Sequence, residues 1–511
     1  MFAQAIARSA QVYGSAIAVQ SRGRSWTYAE FTERVARTAG GLAGAGVQPG
    51  DRVAVLAANS PEHLLAMYAI LWMGAVLLPI NTRLSVEEMQ VIAAEAEAVA
   101  LFSDAANRAS AERLLSARGM TSIALEDGAV GTLSLQALAL APAIDTATCA
   151  ASDLAAIYYT GGTTGGPKGV MTASGAFLDQ GLVLKQELAI EPGTVFLHAP
   201  PLFHLAGTGI AHGCTVGGAT QVFLPEFAPH SFLDDVAQIK ATHLSLVPTM
   251  IADLVERPGF QAAMAAVKRI VYGTSPITED LLRRVMDKAP GVEFTQIYGQ
   301  TECAGSCLFL PPERHVLSGP NAGKLASAGR ASAISEVRIH APDDRVLPVG
   351  EAGEIVLRAT AVMLGYWKKP EVTAEAMRGG WLHTGDVGIM DADGFVRIVD
   401  RLKDMIVTGG ENVFCAEVEN VIADHPAVGY CAVVGLPDPR WGERVHAVIG
   451  LRAGHTLTLE QVVAHCRPHI AGYKCPKSLE ITTEPLPLSS VGKVRKDVLR
   501  ARAKAAEGTC R

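Results

Sequence analysis

The chain has 511 residues, with 44 Lys and Arg against 51 Asp and Glu, which gives a formal net charge of −7. This acidic balance argues against a nucleic-acid-binding protein, which normally carries a basic excess. With 49% hydrophobic and 19% charged residues the chain is too apolar to be disordered, and its length suggests roughly three domain-sized units.

No targeting or membrane segment is predicted. The amino terminus lacks the basic and apolar regions of a secretory signal. The longest apolar run, residues 64–80, is shorter than the roughly 18 to 20 residues that a membrane span needs, and Gly74 and Pro79 interrupt it. The nine cysteines include no Cys-x-x-Cys pair, so neither a disulfide framework nor a zinc site is predicted. We therefore expect a cytoplasmic protein.

The first two thirds of the chain alternate between helical and β-prone segments. Ser60 and Pro61 are typical of a helix start, Gly74 of its end, and residues 75–78 then favour a buried strand. Further β-prone runs occupy residues 53–57, 98–102, 243–247 and 269–272. Short strands separated by longer helical patterns predict a large α/β region with doubly wound parallel sheets.

The pattern changes after about residue 330. Residues 336–399 favour short alternating strands, with an Asp-Ala-Asp-Gly turn at 391–394. The remainder has the pattern of an independent α+β unit that ends in a basic helix. We predict a domain over residues 1–400, β-rich over about 330–400, and a second over 401–511.

The clearest chemical motif is YYTGGTTGGPKGV at residues 158–170. An apolar strand runs into a loop of Gly and Thr that ends in Pro-Lys-Gly. Such a loop can surround a phosphate with amides and hydroxyls, while Lys168 supplies a cation. It is not a Walker A loop, because that pattern requires Gly-Lys followed by Ser or Thr.

This motif resembles the phosphate loop of the adenylate-forming superfamily, which includes acyl-CoA synthetases, luciferase-like enzymes and the adenylation domains of peptide synthetases. Seven further segments recur in the order of that family, which makes a chance match negligible. They are Trp26-Thr-Tyr, Pro201-Leu-Phe-His204, Tyr298-Gly-Gln-Thr-Glu302, Trp381-Leu-His-Thr-Gly-Asp386, Asp400-Arg-Leu-Lys-Asp404, Thr408-Gly-Gly-Glu-Asn412 and Ser490-Val-Gly-Lys493.

The resemblance implies a fold and a reaction. The large region would contain doubly wound sheets and a distorted β-barrel, and the small carboxy-terminal domain would be mobile. A carboxylic acid and ATP would form an acyl-adenylate and pyrophosphate, and coenzyme A would then displace AMP. ATP, Mg²⁺ and CoA are thus the implied ligands, with no nucleic acid partner, and the resemblance leaves open whether the chain forms a homodimer.

Roles in the first step follow from the resemblance residue by residue. Lys493 would bridge the carboxylate and the α-phosphate, and Thr301 with Glu302 would bind the α-phosphate and Mg²⁺, for which carboxylate oxygens are preferred ligands. Asp386 and Arg401 would bind the ribose. The remaining nucleotide-binding positions are Thr160, Gly161, Gly162, Thr163, Thr164, Gly165, Lys168, Gly273, Thr274, Ser275, Tyr298, Gly299 and Gln300.

The second step needs a thiol to reach the acyl carbon from the side that Lys493 occupied. In the family the small domain rotates about a hinge, which aligns with Lys403. Gly409 and Gly410 align with the thiol tunnel, where glycine leaves room for a pantetheine arm. The residues implied to bind the nucleotide end of CoA are Trp441 and Lys474, together with Arg440 and Lys477.

The acid is less closely defined. His204, Gly207 and Thr208 align with the acyl pocket, and His204 stands where α-amino-acid-activating relatives carry Asp. A medium- or long-chain fatty acid is the first choice and an aryl or arylpropenoic acid the next. A stand-alone enzyme that loads a carrier protein and a non-catalytic paralogue that binds adenylates remain alternatives, and a luciferase-like activity has no positive support.

Overall fold

The computed structural model describes residues 1–21, 23–160, 166–275, 277–488 and 494–508. The chain forms two units: a large unit, Met1–Glu336 with Arg358–Leu382, and a small unit, Val337–Leu357 with His383–Arg511. The predicted domain boundary at residue 400 stays a prediction. The small unit also includes two segments that precede residue 400, because the chain enters this unit twice.

The strands, in chain order, are β1 (Ile17–Ser21), β2 (Arg24–Thr27), β3 (Arg52–Leu56), β4 (Val76–Pro79), β5 (Ala100–Ser103), β6 (Thr121–Ala124), β7 (Leu133–Ser134), β8 (Leu154–Thr160), β9 (Lys168–Ala173), β10 (Val195–His198), β11 (Thr220–Phe223), β12 (His243–Leu246), β13 (Arg269–Gly273), β14 (Glu293–Tyr298), β15 (Leu308–Leu310), β16 (Arg330–Ala331), β17 (Ser335–His340), β18 (Ala352–Ala359), β19 (Gly365–Tyr366), β20 (Leu382–Met390), β21 (Val396–Arg401), β22 (Ile406–Thr408), β23 (Glu411–Val413), β24 (Val428–Asp438), β25 (Gly442–Leu451) and β26 (Ser478–Thr482).

The helices, in chain order, are α1 (Phe2–Tyr13), α2 (Tyr28–Gly44), α3 (Pro61–Trp72), α4 (Val86–Glu95), α5 (Arg108–Ala117), α6 (Leu135–Leu138), α7 (Ser174–Glu187), α8 (Leu205–Gly217), α9 (Phe232–Ile239), α10 (Pro248–Val255), α11 (Phe260–Ala263), α12 (Glu279–Lys288), α13 (Pro370–Ala376), α14 (Cys415–Ala423), α15 (Leu459–Cys466) and α16 (Lys496–Gly508).

The large unit contains two sheets with parallel centres. One has the strand order β16-β15-β14-β13-β12-β10-β11-β1-β2, and the other has the order β19-β9-β8-β4-β3-β5-β6-β7. Neighbouring central strands such as β12 and β13, or β3 and β4, pair in parallel. The predicted doubly wound α/β architecture is confirmed.

Local sequence signals explain the helix between β3 and β4. The Ser60 hydroxyl accepts a hydrogen bond from the amide of His63, and Pro61 occupies the first turn of α3, where no amide donor is needed. Residues 61 and 63–72 are buried, so α3 is apolar all round and lies inside the unit rather than on its surface.

The small unit contains a four-stranded sheet of order β17-β18-β20-β21 and a second sheet in which β23, β22, β25 and β24 follow one another and β26 pairs with β25. The Asp-Ala-Asp-Gly turn connects β20 and β21 as predicted, and these strands pair in antiparallel fashion. α14, α15 and α16 belong to this unit.

Two expectations for the β-rich region are corrected. The distorted barrel is wrong for the described residues, because the strand path β17-β18-β20-β21 ends on two different edge strands and four strands are too few to close. The run of short strands over 336–399 is also interrupted by α13. Pro370 starts this helix, since its fixed φ suits the first turn.

Candidate active site

The two ends of the predicted phosphate loop lie side by side in the large unit. Thr160 ends β8 and Lys168 begins β9, and the two residues are direct partners in the antiparallel pair. The Thr160 hydroxyl donates to the Lys168 carbonyl at 3.4 Å. The five loop positions between Thr160 and Gly166 that we predicted to bind phosphate, Gly161, Gly162, Thr163, Thr164 and Gly165, lie outside the described residues.

Further nucleotide-binding residues predicted from the sequence lie at the carboxyl ends of two adjacent parallel strands. Gly273 ends β13 and Tyr298 ends β14, and Gly273 is in register with Ile297. A Cβ atom at Gly273 would stand 2.3 Å from the Ile297 carbonyl oxygen, so the position requires glycine. Thr274 has a left-handed φ of +68°, which turns the chain out of the sheet before Ser275. The edge formed here is where α/β sheets bind their ligands.

Glu302 lies in a 3₁₀ turn, Thr301–Cys303, directly after β14 and Gln300. The chain then reverses through two left-handed residues, Ala304 and Gly305, with φ values of 53° and 101°. A Cβ atom at Gly299 would stand 2.5 Å from the Gly305 carbonyl oxygen. The Gly in the Tyr-Gly-Gln-Thr-Glu motif is therefore required by a close approach of the backbone to itself.

A buried glutamine that the sequence did not reveal supports this turn. Gln180 lies on α7 and is only 1% exposed. Its amide nitrogen donates to the carbonyl oxygens of Cys303 and Ser306 at 3.1 and 2.7 Å, and its amide oxygen accepts from the Ser306 hydroxyl at 2.5 Å. Both ends of the amide are thus used to fix the chain that follows Glu302.

A second contact of Glu302 comes from the segment around β19. The Met363 amide donates to the Glu302 carbonyl at 2.8 Å, and the Tyr366 hydroxyl donates to Glu302 Oε1 at 2.9 Å. The Lys168 ammonium stands 5.2 Å from the centroid of the Tyr366 ring. Burial, followed by the neighbouring Glu302 carboxylate, raises the pKa of Tyr366, so its hydroxyl keeps its proton at neutral pH.

The residues predicted for the acyl pocket surround the start of α8. His204 occupies the N-cap position, and its ring centroid lies 4.7 Å from that of Phe203. A Cβ atom at Gly207 would stand 2.3 Å from the Pro201 carbonyl oxygen. Thr208 is fully buried and its hydroxyl donates to the Leu202 carbonyl at 2.5 Å. The helix is therefore packed closely against the Pro-Leu-Phe-His segment.

The predicted ribose-binding pair belongs to the small unit. Asp386 on β20 lies opposite Arg401 on β21, and Arg401 Nε is 3.1 Å from Asp386 Oδ1. The Asp386 side chain is 6% exposed and that of Arg401 43%. The acidic group is thus buried beside a more exposed cation, in a hairpin that the sequence pattern predicted.

The predicted hinge residue has an exposed side chain, whereas both flanking aspartates are held. Asp400 accepts hydrogen bonds from the amides of Arg401 and Cys415, the second of which begins α14. Asp404 accepts from the Arg500 guanidinium of α16 at 2.9 Å. Lys403 itself is exposed, although partial burial of its ammonium and the nearby Arg401 charge lower its pKa. The chain is therefore fixed immediately before and after it.

The predicted thiol-tunnel glycines connect β22 and β23. Gly409 and Gly410 have left-handed φ values of 63° and 84°. The Gly409 amide donates to the Trp441 carbonyl at 2.8 Å, and a Cβ atom at Gly409 would stand 2.9 Å from the Trp441 indole. These contacts bring together residues from two of the predicted CoA-binding segments.

The predicted CoA-binding cations are in different environments. Arg440 stacks on Trp441, with 4.7 Å from guanidinium to ring centroid, and Trp441 is 46% exposed. Lys474 instead forms an ion pair with Glu417 at 2.7 Å. Its charge is therefore partly neutralised within the small unit.

Lys493 lies outside the described residues. On either side of it, Leu488 and Val494 form an antiparallel bridge. Further on, the Lys496 ammonium is 2.8 Å from Glu419. The two flanks of the predicted catalytic lysine are thus paired with each other, and the chain after it is anchored to α14 through Glu419.

Comparison with known families covers nearly the whole chain. The sequence model described as "AMP-binding enzyme" matches residues 6–367, and that described as "AMP-binding enzyme C-terminal domain" matches residues 417–493. The chain belongs to the AMP-binding enzyme family. The resemblance inferred from its motifs is confirmed.

Individual relatives of this AMP-binding enzyme match over almost their full lengths. A feruloyl-CoA synthase from Amycolatopsis is 38% identical over 97% of each chain. A fatty acid–[acyl-carrier-protein] ligase, ScoC, from Streptomyces coeruleorubidus is 34% identical over 95% of this chain and 93% of its own. The crystal structure of ATP-bound MatB from Rhodopseudomonas palustris has a TM-score of 0.89 and 32% identity, and covers 99% of each chain.

The AMP-binding enzyme is accordingly an AMP-forming acid–thiol ligase that uses ATP and CoA. Among the described residues, no helix is long and apolar enough to cross a membrane.

The residues of this ligase fit magnesium in the way that nucleotide-dependent enzymes bind it. The part of the chain that the structure describes has no cluster of three or more His, Cys, Asp or Glu suited to a metal ion. It offers instead one anchored carboxylate, Glu302, beside the lysine of the phosphate loop. Mg²⁺ commonly takes one or two carboxylates and completes its shell with substrate phosphates and water.

Proposed function

We propose that the chain is a CoA ligase for an aryl or arylpropenoic acid of the ferulate type. The observation that carries the proposal is the 38% identity, over 97% of both chains, to a feruloyl-CoA synthase. The preferred substrate therefore changes from a fatty acid, the first choice from the motifs, to an aryl or arylpropenoic acid, their second choice. The Phe203 and His204 rings, which meet at the predicted acyl pocket, support the proposal because aromatic side chains pack favourably against an aromatic acid.

In the first step, a carboxylate oxygen attacks the α-phosphorus of ATP and pyrophosphate leaves. Lys168 and the loop before it bind the β- and γ-phosphates, and Lys493 neutralises the charge that develops between the carboxylate and the α-phosphate. Glu302 holds magnesium, which neutralises phosphate charge when bound. Gln180 keeps the Glu302 turn in place, and Asp386 with Arg401 binds the ribose.

In the second step, the CoA thiolate attacks the acyl carbon and AMP leaves. Rotation about Lys403 removes Lys493 and presents Gly409 and Gly410 to the pantetheine arm. The position of the exposed Lys403 between two anchored aspartates supports this role, because a hinge lies between segments that are each held. Arg440, exposed on Trp441, is the cation best placed to meet the phosphates of CoA.

A substrate panel tests the proposal. AMP formation with CoA is measured for ferulate, coumarate, cinnamate, benzoate, octanoate and palmitate. We expect kcat/KM for the arylpropenoates to exceed that for the fatty acids by about tenfold or more. A higher kcat/KM for octanoate or palmitate would replace the proposal with a fatty-acyl ligase.

A carrier protein remains the second candidate acceptor, since the ScoC relative is named for one. The same assay is therefore run with CoA, with holo carrier protein and without acceptor. Pyrophosphate exchange with every acid that is activated serves as the control for the first step. Transfer to carrier protein but not to CoA would assign the enzyme to that class.

A further inference from the structure

Tyr366 connects two residues that the sequence assigned to different tasks. Its hydroxyl donates to Glu302 Oε1 at 2.9 Å, and the Lys168 ammonium lies 5.2 Å from its ring centroid. Tyr366 was not among the predicted site residues. Its side chain nevertheless lies between the predicted metal ligand and the cation of the phosphate loop, all within the large unit.

The backbone around Tyr366 is fixed by its own contacts. The Tyr366 amide donates to the Thr373 hydroxyl at 2.8 Å, and this hydroxyl donates to the Lys369 carbonyl at 2.8 Å. The next amide, that of Trp367, donates to the Gly169 carbonyl at 2.7 Å. These bonds fix the backbone from which the Tyr366 side chain extends.

We propose that Tyr366 is a positioning residue that orients the Glu302 carboxylate for the metal–nucleotide complex and pre-positions Lys168 over its ring. The inference rests on the proposed function, because it takes Glu302 as the metal ligand. A hydrogen bond from a hydroxyl to one carboxylate oxygen limits rotation of the carboxylate, so the remaining lone pairs point in a defined direction. Hydrogen bonds of this kind to a metal ligand strengthen metal binding. The ring contact keeps the lysine beside the loop before ATP arrives.

The test separates metal binding from catalysis. Tyr366→Phe keeps the ring but removes the hydroxyl. Mn²⁺ affinity is measured by the EPR signal of free Mn²⁺ in the presence of a saturating non-hydrolysable ATP analogue. We expect Tyr366→Phe to weaken Mn²⁺ binding by about tenfold, as loss of a supporting bond to a ligand does. Binding of the analogue without metal should change little.

A matched control is available in the same sheet, on β8, two strands away from β19. The Tyr159 hydroxyl is also buried, but it has no hydrogen-bond partner among the described residues. Tyr159→Phe should therefore leave Mn²⁺ affinity unchanged. If the two variants weaken Mn²⁺ equally, or if neither does, the positioning role is overturned. Melting temperatures of both variants show whether a loss comes from general unfolding, which would also count against the role.

Glu302→Gln distinguishes the inference from the function on which it rests. A loss of Mn²⁺ affinity in Glu302→Gln but not in Tyr366→Phe would overturn only the role of Tyr366. No loss in Glu302→Gln would overturn the metal role itself.

Tyr366→Leu removes the ring as well and isolates the contact with Lys168. Compared with Tyr366→Phe, we expect a further loss of about threefold in metal-free binding of the analogue, the size of an exposed cation–π contact. Equal binding by the Phe and Leu variants would remove Lys168 from the proposal.

Discussion

The site residues of the large unit and those of the small unit are supported in different ways. In the large unit, Glu302 is held through its backbone by Met363, through its carboxylate by Tyr366 and through the following turn by Gln180. In the small unit, Lys403 is exposed and only its neighbours are held. The difference is consistent with the proposed roles, in which Glu302 keeps one position throughout and Lys403 marks the point where the chain turns.

The largest effect is expected at the residue that serves only one step. Lys493→Ala should reduce adenylate formation by about a hundredfold or more, because it removes a charge aimed at the developing negative charge. Thioester formation from a supplied acyl-adenylate and CoA should remain close to that of the wild type. Pyrophosphate exchange and single-turnover thioester formation measure the two steps. An equal loss in both steps would show that Lys493 does not act in adenylate formation alone.

A change at the proposed hinge should slow the second step, thioester formation, more than the first. Lys403→Pro fixes φ where rotation is required, so we expect thioester formation to fall by about tenfold, with a much smaller change in pyrophosphate exchange. Lys403→Ala is the matched control, since it removes the side chain and keeps the backbone free. If the alanine variant is equally slow, the side chain and not the rotation is the important feature.

A smaller effect on the same step is expected at Gly409. Gly409→Ala strains a left-handed residue and places a methyl group 2.9 Å from the Trp441 indole. The methyl group would push the Trp441 indole away from its position, which should weaken CoA binding. We expect KM for CoA to rise about threefold, which corresponds to a loss of about 0.6 kcal/mol in binding free energy.

Gly454 in the same unit is the matched control for Gly409. It is also left-handed, with φ 81°, but no atom lies within 4 Å of its would-be Cβ. Gly454→Ala should reproduce the backbone strain without the change in KM. An equal rise in KM in the two variants would remove Trp441 from the proposed CoA-binding residues.

The last effect concerns stability in acid and should be strongest in the large unit, which holds the fully buried histidines. His63, His198 and His212 are fully buried there, and burial lowers their pKa values to about 4, 3 and 3. An unfolded histidine takes up a proton near pH 6.5, whereas these side chains stay neutral until the pH is much lower. Acidification below 6.5 therefore stabilises the unfolded chain and lowers the free energy of unfolding.

His212→Leu tests this contribution, because the His212 ring lies among Phe2, Tyr68 and Phe177 without a hydrogen-bond partner among the described residues. Between pH 7 and 5.5 the wild type should lose about 1 kcal/mol more stability than the variant. Denaturant titrations at the two pH values measure it. His455→Leu, at an exposed histidine of the small unit, should show the acid sensitivity of the wild type.

The sequence predicted those site features that depend on neighbouring residues. Asp386 and Arg401 lie opposite each other because their strands form a hairpin with a recognisable turn. The turn that carries Glu302 lies within one contiguous sequence motif. Gln180 and Tyr366 were missed because their partners are 123 and 64 residues away and no local pattern marks such a contact. The unusual cluster of aromatic and basic residues in Gly-Tyr-Trp-Lys-Lys-Pro at 365–370 was the available signal for Tyr366.

The β-rich region shows where local patterns are insufficient for the fold. Alternating residues predicted strands correctly on both sides of the Asp391–Gly394 turn, but whether strands close into a barrel depends on their number and stagger. α13 was missed because its seven residues are too few for a helical period to stand out, although Pro370 marked its start.

The ion pair between Asp386 and Arg401 has a consequence for the timing of product release. In the proposed reaction, a ribose bound to Asp386 would share that carboxylate with Arg401. Arg401 lies two residues before Lys403, so a bound nucleotide would tie down the chain that leads into the proposed hinge. The chain beyond Lys403 would then turn back for a new cycle only after the spent AMP has gone.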